Sequence, residues 1–353
     1  MTYQSRLEMY KQMEAIRSHP LIVYVTSIRP NSSAQMASDA IPFIIEQINA
    51  IPNYKKEIDF LIISNGGDPI VSSRIISLLR ERFSKIHILV PFVAYSAATV
   101  LALGADTIIM HPYSNLGPVD PQLTVIKNDK GQRTDLRFSS EDLRNYVDFV
   151  KDDIGISDQA QLMTAFTSLS SEVGALNIGN AKRSQQLMIT LSERMLETHM
   201  KDHNKASTIA RQLNSSYYHH GYAVSRSEAK KIGLKILVPP ENLETLLWNI
   251  WIDFSSEMKC DVPFDPVSEI LTDPESHKKA MNYIPAIPGR PVQSAMTSSL
   301  IVNCPIAAIE SIDMQHIICN NHNMLFWRDG TGTLVVNDTV STSGWLKNGP
   351  NQQ

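Results

Sequence analysis

Two short segments place residue types that could do chemistry at the ends of apolar runs. SNGGDP (64–69) sets Gly66 and Gly67 directly after DFLIISN (59–65) and before IVSSRIISLLRERF (70–83), where Ile70, Ile75, Ile76 and Leu79 are spaced for one helical face. Glycines there let backbone N–H groups face a ligand closely beside the positive end of a helix. A tight strand-to-helix turn uses the same pair with no ligand at all. The second segment, VAYSAAT (93–99), puts Ser96 between two apolar runs and beside small Ala94, Ala97 and Ala98. A serine so placed either projects its hydroxyl as a nucleophile or caps the helix that follows. The segment is not G-x-S-x-G, so an α/β-hydrolase elbow is not indicated. Adjacent parallel strands would bring the glycine pair beside Ser96, making an oxyanion pocket of backbone N–H groups that faces a nucleophile.

The elements that must position these residues alternate in type. After an amphipathic opening helix come the β-rich run LIVYVTSI (21–28), a helical segment around 36–50 and the buried strand 59–65. Helix 70–83, strand HILVPFV (87–93), a helix from about 96 to 103 and the short strand DTIIM (106–110) follow. Strands and helices in this order predict an α/β fold, a parallel sheet with helical crossovers. The uncharged run 88–105 has the length of a membrane span, but Pro91, Ser96 and Gly104 punctuate it. A buried strand, a sharp turn and a buried helix account for it.

The middle reads as mostly helical, with periodicity over 139–152, 157–170 and 180–214, where Leu187, Leu191 and Met195 step by four. SRSEAKKIGLKILV (225–238) predicts a capped helix that stops at Gly233 and runs into a strand, and 241–254 predicts a closing amphipathic helix. Six prolines between 263 and 291 argue against regular structure there. Beyond them, 316–338 reads as paired strands with DGTG as the turn. The expected division is a catalytic domain over 1–254, a proline-rich connection over 255–295 and a small β-rich C-terminal module over 296–353.

The order SNGGDP, then AYSAATVLALGADTIIMHPYSNLGPVDPQL, then HHGYAVSRSEAKKIGL resembles the Clp-fold serine peptidases. The match is to the serine dehydrogenase proteinase branch, related to ClpP and to signal peptide peptidase A. The resemblance covers roughly 20–250 and implies a ClpP/crotonase-like fold, a serine nucleophile and a homo-oligomer. It places the nucleophile at Ser96 and the oxyanion donors at Gly67 and Ala97, with Gly66 beside them. SNLGPVDPQ supplies Asp120 as the orienting acid, and the segment before the S-x-x-EA helix supplies His220 as the general base. Two positions depart from the family: His220-Gly221-Tyr222-Ala223 stands where relatives often read HDYP, and Tyr95 stands where a lysine often precedes the nucleophile.

Other bases compete. His111 lies soon after Ser96 but ends a strand, and His219 adjoins His220. Lys151 would serve a Ser–Lys enzyme of the signal peptide peptidase A type, although VKDDIG is a polar helix end where a solvated lysine is the default. His316, Cys319 and His322 suggest zinc but lack a fourth ligand, and in a strand their spacing sends them to alternating faces, so no metal and no cofactor is expected. Leu325, Phe326 and Trp327 read as core of the C-terminal module or as an edge for a partner protein.

Composition narrows the function classes. Of 353 residues 43% are hydrophobic and 19% charged, the range of globular chains. Acidic groups (36) outnumber basic ones (32) for a net charge of −4, with no basic run, which disfavours nucleic acid and anionic membranes as partners. Three cysteines, all in the last third, and no secretory h-region point to a reducing, cytoplasmic setting. The expectation is a soluble serine endopeptidase acting on peptide or protein substrates. A crotonase-type acyl-CoA enzyme and a catalytically silent scaffold are the competing readings.

Overall fold

The computed structural model describes residues 3–129, 132–215, 217, 219–281, 297–329 and 331–349. In chain order the elements begin with α1 (Tyr3–Arg17), β1 (Leu21–Thr26), α2 (Ile41–Ala50), β2 (Glu57–Ile63) and α3 (Pro69–Arg82). Then come β3 (Lys85–Val90), β4 (Val93–Ala94), α4 (Ala97–Leu103), β5 (Thr107–Met110) and β6 (Asn115–Leu116). The middle holds β7 (Gln122–Asp129), β8 (Gln132–Ser139), α5 (Ser140–Asp148), α6 (Gln159–Val173), α7 (Ala175–Glu197) and α8 (His203–Ser215). After these stand β9 (Val224–Ser225), α9 (Arg226–Lys231), β10 (Ile236–Leu237) and α10 (Glu241–Glu257). The last elements are α11 (Pro266–Thr272), α12 (Pro274–Met281), β11 (Ser298–Glu310), β12 (Gln315–Arg328), β13 (Leu334–Thr342) and β14 (Leu346–Asn348).

Two compact units result. One contains 36–41 and 56–240; the other contains 1–35, 42–55 and 241–353.

The first unit has the parallel sheet that the alternation predicts, in the order β10-β5-β3-β2. Ile58 pairs with Ile86, and Ile88 with Ile108, so β-branched side chains meet across neighbouring strands. Helix α3 starts on a capping Asp68 whose Oδ1 accepts the Ile70 N–H at 2.8 Å, with Pro69 in the first turn. It buries Val71, Ile75, Ile76 and Leu79, each burial contributing about 1.5–3 kcal/mol. Ile70, at the first turn, is exposed instead. All seven residues of α4 are buried, so the uncharged run 88–105 is strand, turn and core helix. Among the described residues no helix is long and apolar enough to cross a membrane. The helical expectation over 180–214 resolves into α7 and α8, with Leu191 and Met195 buried and Leu187 exposed. The pair β7–β8, antiparallel from Gln122↔Ser139 onward, precedes the helices expected from 139 and lies where no element was expected.

The second unit brings the two ends of the chain into one sheet. Strand β1 pairs antiparallel with β11, with Val23 opposite Glu310, and β12, β13 and β14 extend the same sheet. The opening residues therefore fold with the C-terminal strands. Buried side chains fasten this arrangement. Arg6, fully buried, gives Nε and Nη2 to the two Glu310 oxygens at 2.9 and 2.7 Å and meets Asp253 and Glu257 through Nη1. Its guanidinium also lies 4.0 Å from the Phe254 ring centroid. The Tyr10 hydroxyl donates to Glu310, and burial pushes this phenol well above its ordinary value. The proline-rich stretch is not irregular throughout. Pro266 and Pro274 begin α11 and α12, where a missing N–H costs nothing. Pro285, Pro288 and Pro291 lie outside the described residues.

Candidate active site

The glycine pair and Ser96 meet because β2 runs into the strand that precedes the serine. Ser64 N–H donates to Val93 O at 3.1 Å and Tyr95 N–H to Ser64 O at 2.9 Å. The backbone then turns through Gly66 (φ 100°) and Gly67 (φ 148°). A Cβ on Gly66 would stand 2.6 Å from Tyr95 O, 2.8 Å from Ser96 Cβ and 2.9 Å from Ala97 N, so only glycine fits. The Gly66 N–H donates to Ser64 Oγ at 3.0 Å, unlike the N–H of Gly67, and Gly66 gives the close approach to Ser96. Gly67 forms a parallel bridge to Met36, in which Met36 N–H donates to Gly66 O and Asp68 N–H to Met36 O. The N–H groups of Gly67 and Ala97 donate to no acceptor among the described residues.

Ser96 sits at φ 51° and ψ −118°, a conformation that costs a non-glycine residue on the order of 1–3 kcal/mol. Its hydroxyl does not cap α4 and bonds to nothing else among the described residues.

A three-stranded ribbon, β4-β6-β9, gathers the other candidates. Ala94 pairs with Leu116 and Leu116 with Val224, so the chain before Ser96, before Asp120 and after His220 lies side by side. The buried Thr99 hydroxyl fastens the ribbon. It lies 2.7 Å from Ala94 O and 2.9 Å from Gly117 O, and accepts the Gly117 N–H at 3.0 Å. Val119 is held on α8 through its N–H to Leu213 O and its carbonyl to Asn214 Nδ2. Next to it, the Asp120 carboxylate accepts from His220 Nδ1 at 2.8 Å and from Gln122 Nε2 at 2.7 Å. A carboxylate accepts only, so Nδ1 carries the proton of this bond, and in the neutral ring the lone pair is on Nε2. The His220 side chain is 28% exposed and Asp120 8%, leaving the imidazole reachable and the acid screened from water. Neither Thr99, Gly117 nor Gln122 carried a signal in the sequence.

The competing bases lie in other settings. His111 Nδ1 accepts the Tyr113 N–H at 3.1 Å, a loop cap. His219 Nδ1 accepts the Gly221 N–H at 3.0 Å. Lys151 is exposed on a π-helical turn (Phe149–Asp153), at a cavity of about 240 Å³ that it lines with Tyr146, Val150, Met163 and Phe166. His316 and His322 each have their own carboxylate, Glu46 at 2.9 Å and Asp338 at 2.7 Å.

Residues 36–131 match a family described as ClpP-like SDH-type serine proteinase. Gly66, Gly67, Ser96, Ala97 and Asp120 fall inside that stretch and His220 outside it. That stretch is thus similar to the ClpP-like SDH-type serine proteinases, the resemblance that the motif order carries. Among curated proteins, an uncharacterized protein of Methanocaldococcus jannaschii is 26% identical over 182 residues, 51% of this chain and 51% of the relative. A second uncharacterized protein of that organism is 40% identical over 80 residues, 23% of this chain and 28% of the relative. The chain therefore spans about half the length of the first of these relatives, and less of the second. Two solved structures are similar at low identity. The 1510-N membrane-bound stomatin-specific protease has 16% identity and a TM-score of 0.38, over 69% of this chain and 89% of that one. ClpP1 from Listeria monocytogenes has 12% identity and a TM-score of 0.34, over 66% and 98%.

Proposed function

We propose that the chain is a serine peptidase that hydrolyses peptide bonds through an acyl-enzyme on Ser96. The observation that carries this reading is the 2.8 Å hydrogen bond from His220 Nδ1 to Asp120, which aims the free Nε2 lone pair away from the acid. In this reading Ser96 Oγ attacks the scissile carbonyl carbon and gives its proton to His220 Nε2. The tetrahedral oxyanion is held by the N–H groups of Gly67 and Ala97, and the leaving amine takes the proton from His220. Water then hydrolyses the ester by the same route. Asp120 orients the imidazole and stabilises its charged form. The strained, uncapped Ser96 supports the assignment, because a helix cap would use its hydroxyl and relax its backbone.

The same reading takes an extended peptide as substrate, added as a strand beside the site. Self-association through the helices of 139–214 belongs to it too. Exposed Phe149, Ile154, Met163, Phe166 and Leu176 on these segments support an interface there. Fluorophosphonate labelling tests the site. The wild type is expected to label on Ser96, and Ser96→Ala and His220→Ala to lose turnover by on the order of 10⁶ if the residues act as a unit. Labelling that persists in Ser96→Ala would overturn the nucleophile; full activity in His220→Ala with loss in Lys151→Ala would move the protein to the Ser–Lys class.

A further inference from the structure

His220 is 28% exposed, and a single hydrogen bond to Asp120 at such a position holds a side chain weakly. Something else must fix the ring. Two tyrosines flank it. Tyr217, three residues before, and Tyr222, two residues after, stack with ring centroids 4.6 Å apart and planes 24° from parallel. The Tyr222 hydroxyl points at the Glu228 carboxylate, 3.4 and 3.3 Å from its two oxygens. Glu228 belongs to the first turn of α9, where its own N–H donates to the capping Ser225 Oγ. Ser225 in turn pairs with Asn115 on β6, the strand that leads to Asp120. Tyr222 N–H also closes a turn on His219 O at 2.9 Å. Burial and the Glu228 carboxylate push the Tyr217 phenol up to about 12, so it stays neutral in the stack.

We propose that the Tyr217–Tyr222 stack, anchored on Glu228, is a positioning clasp that holds His220 Nδ1 on Asp120. The proposal rests on the reading of His220 as the base. The stack joins the two ends of the segment that carries His220, and Glu228 ties that segment to the ribbon that carries Asp120. Opening the stack frees the imidazole to rotate off the carboxylate, which lowers the fraction of molecules with Nε2 turned to Ser96. Neither tyrosine touches the reacting atoms; both act through the histidine.

The test uses the full chain with single substitutions. Stacked aromatic pairs are worth enough that Tyr217→Ala and Tyr222→Ala should each slow fluorophosphonate labelling of Ser96 by about 3- to 10-fold. The double alanine variant should be no slower than the slower single one, since both remove one contact. Tyr217→Phe and Tyr222→Phe keep the rings and should label within about twofold of wild type. A downfield proton resonance from the His220 Nδ1–H···Asp120 bond should persist in the phenylalanine variants and vanish in the alanine variants. Alanine variants that label at the wild-type rate with the resonance intact would overturn the clasp. If His220→Ala labels like wild type, the base assignment fails; the resonance decides the clasp in either case.

Discussion

Gly66→Ala puts a methyl group into the tightest approach in the site. Ordinary contact begins near 3.4 Å, so the new Cβ forces Tyr95 O to retreat by about 0.8 Å and Ala97 N by about 0.5 Å. Both atoms flank Ser96, and Ala97 N–H is an oxyanion donor in the proposed mechanism. A positive φ costs an alanine roughly 1–2 kcal/mol and an overpacked contact roughly 1–3 kcal/mol. The expected loss of stability is therefore about 2–5 kcal/mol, a fall in Tm of several degrees for a unit of this size. Activity should suffer more, since displacements approaching 1 Å cost on the order of 10² in rate. Gly155 supplies the control: it has φ +81° and no atom within 4 Å of an added Cβ. Gly155→Ala carries the backbone strain without the contact, and should cost about 1–2 kcal/mol of stability with labelling unchanged. Rates of fluorophosphonate labelling and thermal melts on the three proteins settle the matter. A folded Gly66→Ala that labels within threefold of wild type, or a Gly155→Ala equally impaired, would refute the reasoning.

Asp120→Asn should lower peptide turnover by about 10³–10⁴-fold, because an amide nitrogen can turn toward His220 and favour the other tautomer; a loss under tenfold in steady-state assays would count against Asp120 as the orienting acid. Arg6→Met strips from buried Glu310 and Asp253 and partly buried Glu257 the cation they share among the described residues and should destabilise by about 3–5 kcal/mol in urea unfolding; a change below 1 kcal/mol would show that the acids rearrange or protonate at no cost. His199, whose Nε2 lies 2.9 Å from Leu103 O, is held below its ordinary 6.5 chiefly by burial. Its neutral form is favoured in the folded state, so stability is fully present above pH 6.5 and declines as pH falls through the lowered value. Urea midpoints of wild type and His199→Gln should therefore diverge between pH 7.5 and pH 5, and parallel curves would exclude His199 as a source of that slope.

Much of the fold was readable where local chemistry and global architecture agree. Continuous apolar runs bounded by glycine or charge became β2, β3 and β5, and Ser225 with Gly233 framed α9 as expected. The failures have physical causes. Pro266 and Pro274 were read as breakers because density was weighed without position; each follows an aspartate whose side chain caps the helix the proline begins. In β7 and β8 only Leu123 with Val125 and Leu136 with Phe138 alternate, two apolar positions on each strand that pack near Val173 and Ala181, a strand signal too short to stand out beside the helices that follow. The pairing of the first strand with the C-terminal strands was not legible for a different reason. Nothing local in LIVYVT tells it to pair with a strand nearly three hundred residues later, and Arg6 gains meaning only once Glu310 stands opposite it.

The candidate site divides along the same line. Ser96 and the glycine pair are visible as sequence because each must satisfy a local backbone demand: a positive φ, a missing Cβ, a small neighbour. Asp120 and His220 satisfy no local demand; one hundred residues separate them, and only the ribbon β4-β6-β9 makes them partners. That ribbon has two-residue strands, too short for any alternation to register, and its strength lies in Thr99, an unremarked threonine inside an apolar helix. Its hydroxyl lies between β4 and the turn after β6, so replacing it by valine would take a partner from Gly117 O and leave the Gly117 N–H and Ala94 O only their own bond at 3.2 Å. Residues that build a site by holding backbone to backbone look like ordinary core in sequence. Here Thr99, which sets the chain before Ser96 beside the chain before Asp120, is therefore less conspicuous than either of the residues it aligns.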